Sequence, residues 1–148
     1  MIPISGVVWR AVPEGQDPLC PATAPEGRFH HAGQFAVYTS LTAEGTKIAI
    51  ARYLTAADPD RIIHPLRVDA ARVRDLRGET EASVVWQDVR ATGRAAPTWS
   101  FSDDARAGGA QALLYSSRSR PDLSHLVIFD PSVLCAAPDH ATRRWTSP

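Results

Sequence analysis

Residues 26–54 read EGRFHHAGQFAVYTSLTAEGTKIAIARYL, and this stretch decides how the chain is organised. Gly27-Arg28, the pair His30-His31 and a turn at Gly33 come first. A short apolar strand, Phe35 to Tyr38, follows, and Thr39 to Gly45 turns into a helix start. Ser40 or Thr42 suits the N-cap, and Glu44 in the first turn complements the helix dipole. Gly45 is unfavourable so early in a helix. Ile48-Ala49-Ile50-Ala51 fits a buried helix or a buried strand, and the capping signals favour the helix. An arginine in a glycine-punctuated loop, just ahead of a strand-to-helix junction, is a candidate anion grip. Loops carry binding groups, and a helix N-terminus adds partial positive charge. A solvated loop would carry the same letters, so the flanking chain has to decide.

Upstream, Ile4 to Val12 is rich in β-formers and predicts a first strand. Four prolines and Gly15 make Pro13 to Pro25 an irregular loop. Downstream, Asp58-Pro59-Asp60 breaks the helix, and the alternation Leu66, Val68, Ala70 predicts a half-buried strand within Arg61 to Leu76. Glu79 to Arg90 is expected to form a short helix, and Ala96 to Trp99 a loop. Ser102 is a good N-cap for a helix over Asp103 to Gly108. Ala112 to Tyr115 and Leu126 to Phe129 predict two more strands, joined by an arginine-serine loop. Beyond Asp130 only Trp145 suggests that the tail docks. Strands and helices mix without strict βαβ alternation, which predicts an α+β fold. No repeat or low-complexity segment divides it, so residues 1–148 are expected to form one domain.

Composition narrows the partners. Sixteen basic and sixteen acidic residues cancel, so no global field favours nucleic acid or an anionic membrane. Lys47 is the only lysine, and an arginine bias suits bidentate contacts to phosphate but also follows from base composition. Cys20 and Cys135 have no CxxC spacing, and with five scattered histidines they form no zinc pattern, so no metal is expected. The N-terminus lacks a basic region ahead of an apolar run, and no apolar stretch reaches membrane-spanning length. These features lead to the expectation of a cytoplasmic protein with reduced thiols.

Few residues are candidates for chemistry. Arg10, inside a strand, needs solvent, a partner or a cleft. Arg28 sits where glycines let the backbone bend towards a ligand. Tyr38 offers a ring face or a hydroxyl, although a core tyrosine with a satisfied hydroxyl is the commoner outcome. His30 and His31 titrate near neutrality, but exposed loop histidines are usually inert. Ser116, Ser117 and Ser119 alternate with Arg118 and Arg120 after a strand, a pattern shared by phosphate cradles and solvated hairpin loops. No GxSxG, Walker loop or HExxH is present.

Val8-Trp9-Arg10, Gly27-Arg28-Phe29, Gly33, Tyr38-Thr39-Ser40 and Leu114 to Pro121 together resemble the RES domain family, the toxin domain of a class of bacterial toxin–antitoxin pairs. The resemblance runs from Trp9-Arg10 to Phe129 through short motifs. It implies an ADP-ribosyltransferase-like fold that consumes NAD by hydrolysis, phosphorolysis or ADP-ribosyl transfer. NAD is then the substrate and not a resident cofactor. A helix-turn-helix antitoxin is the implied protein partner, and homo-oligomer formation stays open. The family arginines fall on Arg10 and Arg28, the tyrosine on Tyr38, and the key serine on Ser117 with Ser116 one register away. Arg28 and Arg10 are expected to clamp the pyrophosphate, Tyr38 to pack on the nicotinamide riboside end and Ser117 to hydrogen-bond the substrate.

In one position the chain departs from the family. The family glutamate lies well inside the helix after the tyrosine, where this chain reads Lys47-Ile48-Ala49-Ile50-Ala51-Arg52. Cleaving the nicotinamide–ribose bond builds oxocarbenium character that a carboxylate stabilises. Three readings follow. Glu44, about a turn and a half too early, substitutes as the catalytic carboxylate; another carboxylate such as Asp75 reaches in; or the fold binds a nucleotide or protein without chemistry.

Overall fold

The longest strand organises the sheet. In this computed structural model, which describes residues 1–51 and 54–145, β3 (Arg61–Asp75) pairs along one edge with β1 (Ile2–Pro13), antiparallel from Ile2↔Val73 to Pro13↔Arg61. Its other edge takes three short strands in turn. These are β7 (Arg143–Trp145), β6 (Leu134–Ala136) and β4 (Ala112–Ser116), the last in parallel. β4 pairs with β5 (Ser124–Ile128), β5 with β2 (Val37–Ser40), and β2 returns to β1, which closes a small barrel. Trp145 pairs with Arg61, so the tail does dock, through edge strands of three residues that carry no readable alternation.

Alternation explains how the barrel is filled. On β3, Leu66, Val68 and Ala70 are buried while Arg67 and Asp69 are exposed. β4 and β5 bury both faces. Leu114, Leu126 and Ile128 join Val8, Val37 and Leu66 in one cluster, while Leu113, Tyr115 and Val127 join Phe29 and Ala105 in a second. The second cluster is where the loop carrying Arg28 and the helix α3 pack, and it is the face that carries the site.

Helix α1 (Ala43–Ile50) starts where expected. Thr42 is its N-cap and accepts from the Gly45 N–H at 2.9 Å. Gly45 is there because space is short: a Cβ would stand 3.1 Å from Thr42 Oγ1 and 3.3 Å from Ser40 Cβ. The expected run of the helix into Arg52 lies outside the described residues.

Two expectations need correction. Glu79 to Arg90 is not one helix but a 3₁₀ turn, Thr80–Ser83, followed by α2 (Trp86–Arg90). The break falls where the carbonyls of Ala82 and Val84 turn aside to accept from Arg28. Ser102 is not an N-cap either. Helix α3 runs Thr98–Ala107, so Trp99 lies inside it and Ser102 is a buried interior residue that donates to Trp99 O. No helix of the described residues is long and apolar enough to cross a membrane.

Candidate active site

Helix α3 fixes the Gly27–Phe35 loop through side chains that bind its carbonyls. Trp99 Nε1 donates to Gly27 O at 2.8 Å, and Thr98 Oγ1 donates to Arg28 O. Arg106 donates to Phe29 O at 2.9 Å and to Phe35 O at 3.0 Å. His31 stacks on Trp99 at 4.5 Å and meets Asp103 at 2.9 Å, where Gln34 also bonds. Loop carbonyls that would otherwise need water are satisfied by one helix.

Inside that loop a tight polar unit forms. His30 is not an exposed loop histidine, as the sequence suggested: it is 2% exposed. Its Nε2 faces Ala24 O at 2.9 Å, and a carbonyl only accepts, so Nε2 carries the hydrogen. In the neutral ring Nδ1 is then the acceptor, and the Tyr38 hydroxyl, 2.7 Å away, donates to it. The same hydroxyl accepts from Phe29 N–H at 2.9 Å. Burial raises the Tyr38 pKa and holds the phenol protonated. The hydroxyl is thus committed to the loop, and what Tyr38 presents outward is its ring. Gly27 is required here. A Cβ at this position would fall 2.5 Å from His30 Cε1 and 2.9 Å from the Tyr38 hydroxyl.

This loop forms one wall of a chamber of about 730 Å³, within the usual range for small-molecule sites. Glu26, Gly27, Arg28 and His30 line it from the loop, Tyr38 from β2, and Ile48 to Ala51 from the α1 segment. Trp86 and Gln87 close one side, and Tyr115, Ser116, Ser117, Arg118, Ser119 and His125 the other. Four of the expected site residues, Arg28, Tyr38, Ser116 and Ser117, therefore share one cavity. Arg28 Nη1 donates to Val84 O at 2.7 Å and Ala82 O at 3.2 Å, which fixes its guanidinium at the chamber edge. Ser117 is buried, and its Oγ accepts from Arg120 N–H at 3.3 Å. Ser116 Oγ accepts from Gly78 N–H at 3.3 Å.

Arg10 lies elsewhere. It lines a smaller chamber of about 180 Å³ that shares Tyr38, Ala49, Ile50, Tyr115 and His125 with the large one. Its Nη1 donates to Pro18 O at 2.6 Å and to Cys20 O, pinning the proline-rich loop. Glu44 lines neither chamber. It is exposed, 3.5 Å from Arg120 at the helix start. Asp75 pairs with Arg77 at 2.8 Å and also lines neither. Arg120 is taken by Asp122 and Glu44, so of the arginines in the serine loop only Arg118 reaches the chamber.

His125 also lines the large chamber, and no motif marks it. Strand register lays Trp9, Ser40, His125 and Tyr115 in one row across four adjacent strands. His125 Nδ1 meets Ser40 Oγ at 2.7 Å, and among the described residues Nε2 has no hydrogen-bond partner. Burial first, then the Arg28 charge, lowers its pKa to about 4, so it is neutral at pH 7. A histidine inside the apolar run after Ser124 was the available signal. Among the described residues, no group of three or more His, Cys, Asp or Glu side chains is placed to hold a metal ion.

One cavity thus combines cationic, hydroxyl and aromatic groups with apolar surface, an arrangement suited to a phosphate-bearing ligand with a ring at one end. Comparison with solved structures returns a chain of the M. tuberculosis MbcT–MbcA toxin–antitoxin complex, with a TM-score of 0.71 and 19% identity over 99% of this chain and 87% of that one. No curated protein matches the sequence. The family model described as the RES domain matches residues 7–146, and the chain belongs to the RES domain family.

Proposed function

We propose that this protein is the toxin of a toxin–antitoxin pair and that it consumes NAD by breaking the nicotinamide–ribose bond. The observation that carries the reading is the convergence of Arg28, Tyr38, Ser116 and Ser117 on one chamber from three separate parts of the chain. Arg28, its guanidinium anchored by two carbonyls, grips the pyrophosphate, and Arg118 adds charge from the opposite loop. Tyr38 offers its ring to the nicotinamide riboside end, because its hydroxyl is spent on His30 and Phe29 N–H. Ser117 hydrogen-bonds the substrate. Arg10 supports the site from the adjoining chamber. The acceptor is water, phosphate or a protein side chain. An antitoxin as partner is supported by the family and by the complex in which the similar structure was solved.

The test is incubation of the pure protein with NAD, with and without phosphate, followed by chromatography. Nicotinamide release in either buffer is expected, and none at high protein concentration overturns the reading.

One observation favours a second reading, a binder without chemistry: the α1 wall is apolar from Ile48 to Ala51, and Glu44 and Asp75 stand outside the chamber. A binder would hold NAD intact over hours in a calorimeter cell, at stoichiometric occupancy.

A further inference from the structure

The proposed reaction calls for a negative charge near the ribose, and α1 supplies none. Among the described residues that line the large chamber, one carries a carboxylate, and it is Glu26. Its Oε1 accepts from Arg90 Nε at 3.1 Å, and its side chain is about one-third exposed. Among the described residues Oε2 has no hydrogen-bond partner. Arg90 is itself fixed: Nη1 donates to Arg94 O at 3.0 Å, and its guanidinium carbon lies 5.2 Å from the Trp99 ring centroid. Trp99 in turn donates to Gly27 O, between Glu26 and Arg28. A single turn, closed by the Gly27 N–H to His30 O bond, therefore brings an anion-binding arginine and an oriented carboxylate into the same cavity.

We propose that Glu26 is the carboxylate that stabilises the ribose cation during nicotinamide release, a role that rests on the NAD-cleaving reading above. The bond between the nicotinamide nitrogen and ribose C1′ breaks, and its electron pair stays on the nitrogen, so nicotinamide leaves neutral. The positive charge passes to C1′ and the ring oxygen, opposite the Glu26 carboxylate. In hydrolysis a water oxygen then bonds to C1′ and its proton goes to solvent; in phosphorolysis an unprotonated oxygen of inorganic phosphate bonds to C1′ and no proton is released. Glu26 is unchanged at the end. Arg90 is a positioning residue that holds one carboxylate oxygen and leaves the other for the substrate.

The experiment compares nicotinamide release and ADP-ribose affinity for wild type, Glu26→Gln, Glu26→Asp and Arg90→Gln, each checked by thermal melting. Glu26→Gln is expected to lower kcat at least about 100-fold with ADP-ribose affinity within about threefold of wild type. Glu26→Asp should recover part of the loss, ending roughly five- to fiftyfold below wild type, and Arg90→Gln should stay within about tenfold. Release by Glu26→Gln within threefold of wild type overturns the inference. So does an Arg90→Gln loss as large as that of Glu26→Gln, because the carboxylate would then be half of a structural ion pair. If Glu26→Gln does not fold, Glu26→Asp decides, and a wild-type kcat in that variant is the contrary result. A wild type that releases no nicotinamide overturns the NAD-cleaving reading itself, which keeps the two failures apart.

Discussion

The two walls of the large chamber are built on different principles. The wall from Gly27 to Tyr38 is over-determined: α3 binds its carbonyls, His30 and Tyr38 bind each other, and Gly27 leaves no spare room. The other wall, Ile48 to Ala51, offers apolar surface, and among the described residues of this segment no side chain brings charge to the cavity. Binding geometry is thus locked on one side, while the side where the family keeps its glutamate carries no acid. The difference teaches that binding groups are fixed on one side only, and that the proposed bond cleavage draws its carboxylate, Glu26, from beside the locked wall.

Glycine substitutions in the loop wall and at the start of α1 give the sharpest contrast. Gly27→Ala forces a Cβ into His30 and Tyr38, both pinned by hydrogen bonds, and should cost about 3 kcal/mol or more and abolish ligand handling. Thermal melting and NAD turnover check it together, and a wild-type melt would mean that the His30–Tyr38 unit is loose.

His125 tests how dry the floor between the walls is. Its native pKa, about 4, lies below the unfolded value of 6.5, so the unfolded chain binds a proton that the native one refuses. Stability from this group is therefore present above about pH 6.5 and lost as pH falls towards 4, by roughly 2–3 kcal/mol. Burial shifts His64 in the same direction, so the difference between wild type and His125→Asn isolates the share of His125. Denaturant melts at several pH values should show a flatter slope for the variant between pH 4 and 6.5. Parallel curves would place water on the His125 ring.

Tyr38→Phe removes the hydroxyl and keeps the ring. It leaves Phe29 N–H and His30 Nδ1 unpaired, so denaturant unfolding should report a loss of about 1–2 kcal/mol. NAD turnover per folded molecule should fall by less than about tenfold, since the proposed role of Tyr38 uses its ring and not its hydroxyl. A collapse of turnover at full stability would assign the hydroxyl to chemistry instead. Gly45→Ala on the α1 side is the mildest change. The tight contacts at 3.1 and 3.3 Å offset the helix propensity gained, leaving stability within about 1 kcal/mol by the same melts.

Local signals were legible where the side chains served local structure. The alternation on β3, the Thr42 cap and the strand at Ala112 follow from spacing alone. Reading failed where side chains serve distant backbone. The N-cap of α3 is Pro97, whose side chain has no acceptor, and Thr98 and Trp99 spend their polar groups on Arg28 O and Gly27 O, so Ser102 looks like the better start. The β1–β3 closure and the edge strands β6 and β7 arise from pairings far apart in sequence, which no window contains. The site divides the same way. Arg28, Tyr38 and Ser117 were named from their motifs, whereas the row through Ser40 and His125 exists only through strand register.

The most direct measurement is calorimetric titration of ADP-ribose into wild type and Arg28→Ala. In the proposed function the locked wall grips the pyrophosphate through charge-assisted bonds worth roughly 1.5–3 kcal/mol each. Arg28→Ala should bind at least about tenfold more weakly, with Arg28→Lys recovering part because a point charge lacks the planar fork. The melting temperature should fall only modestly, since the guanidinium also bonds the carbonyls of Ala82 and Val84. Unchanged affinity in Arg28→Ala, with the fold intact, would contradict the account.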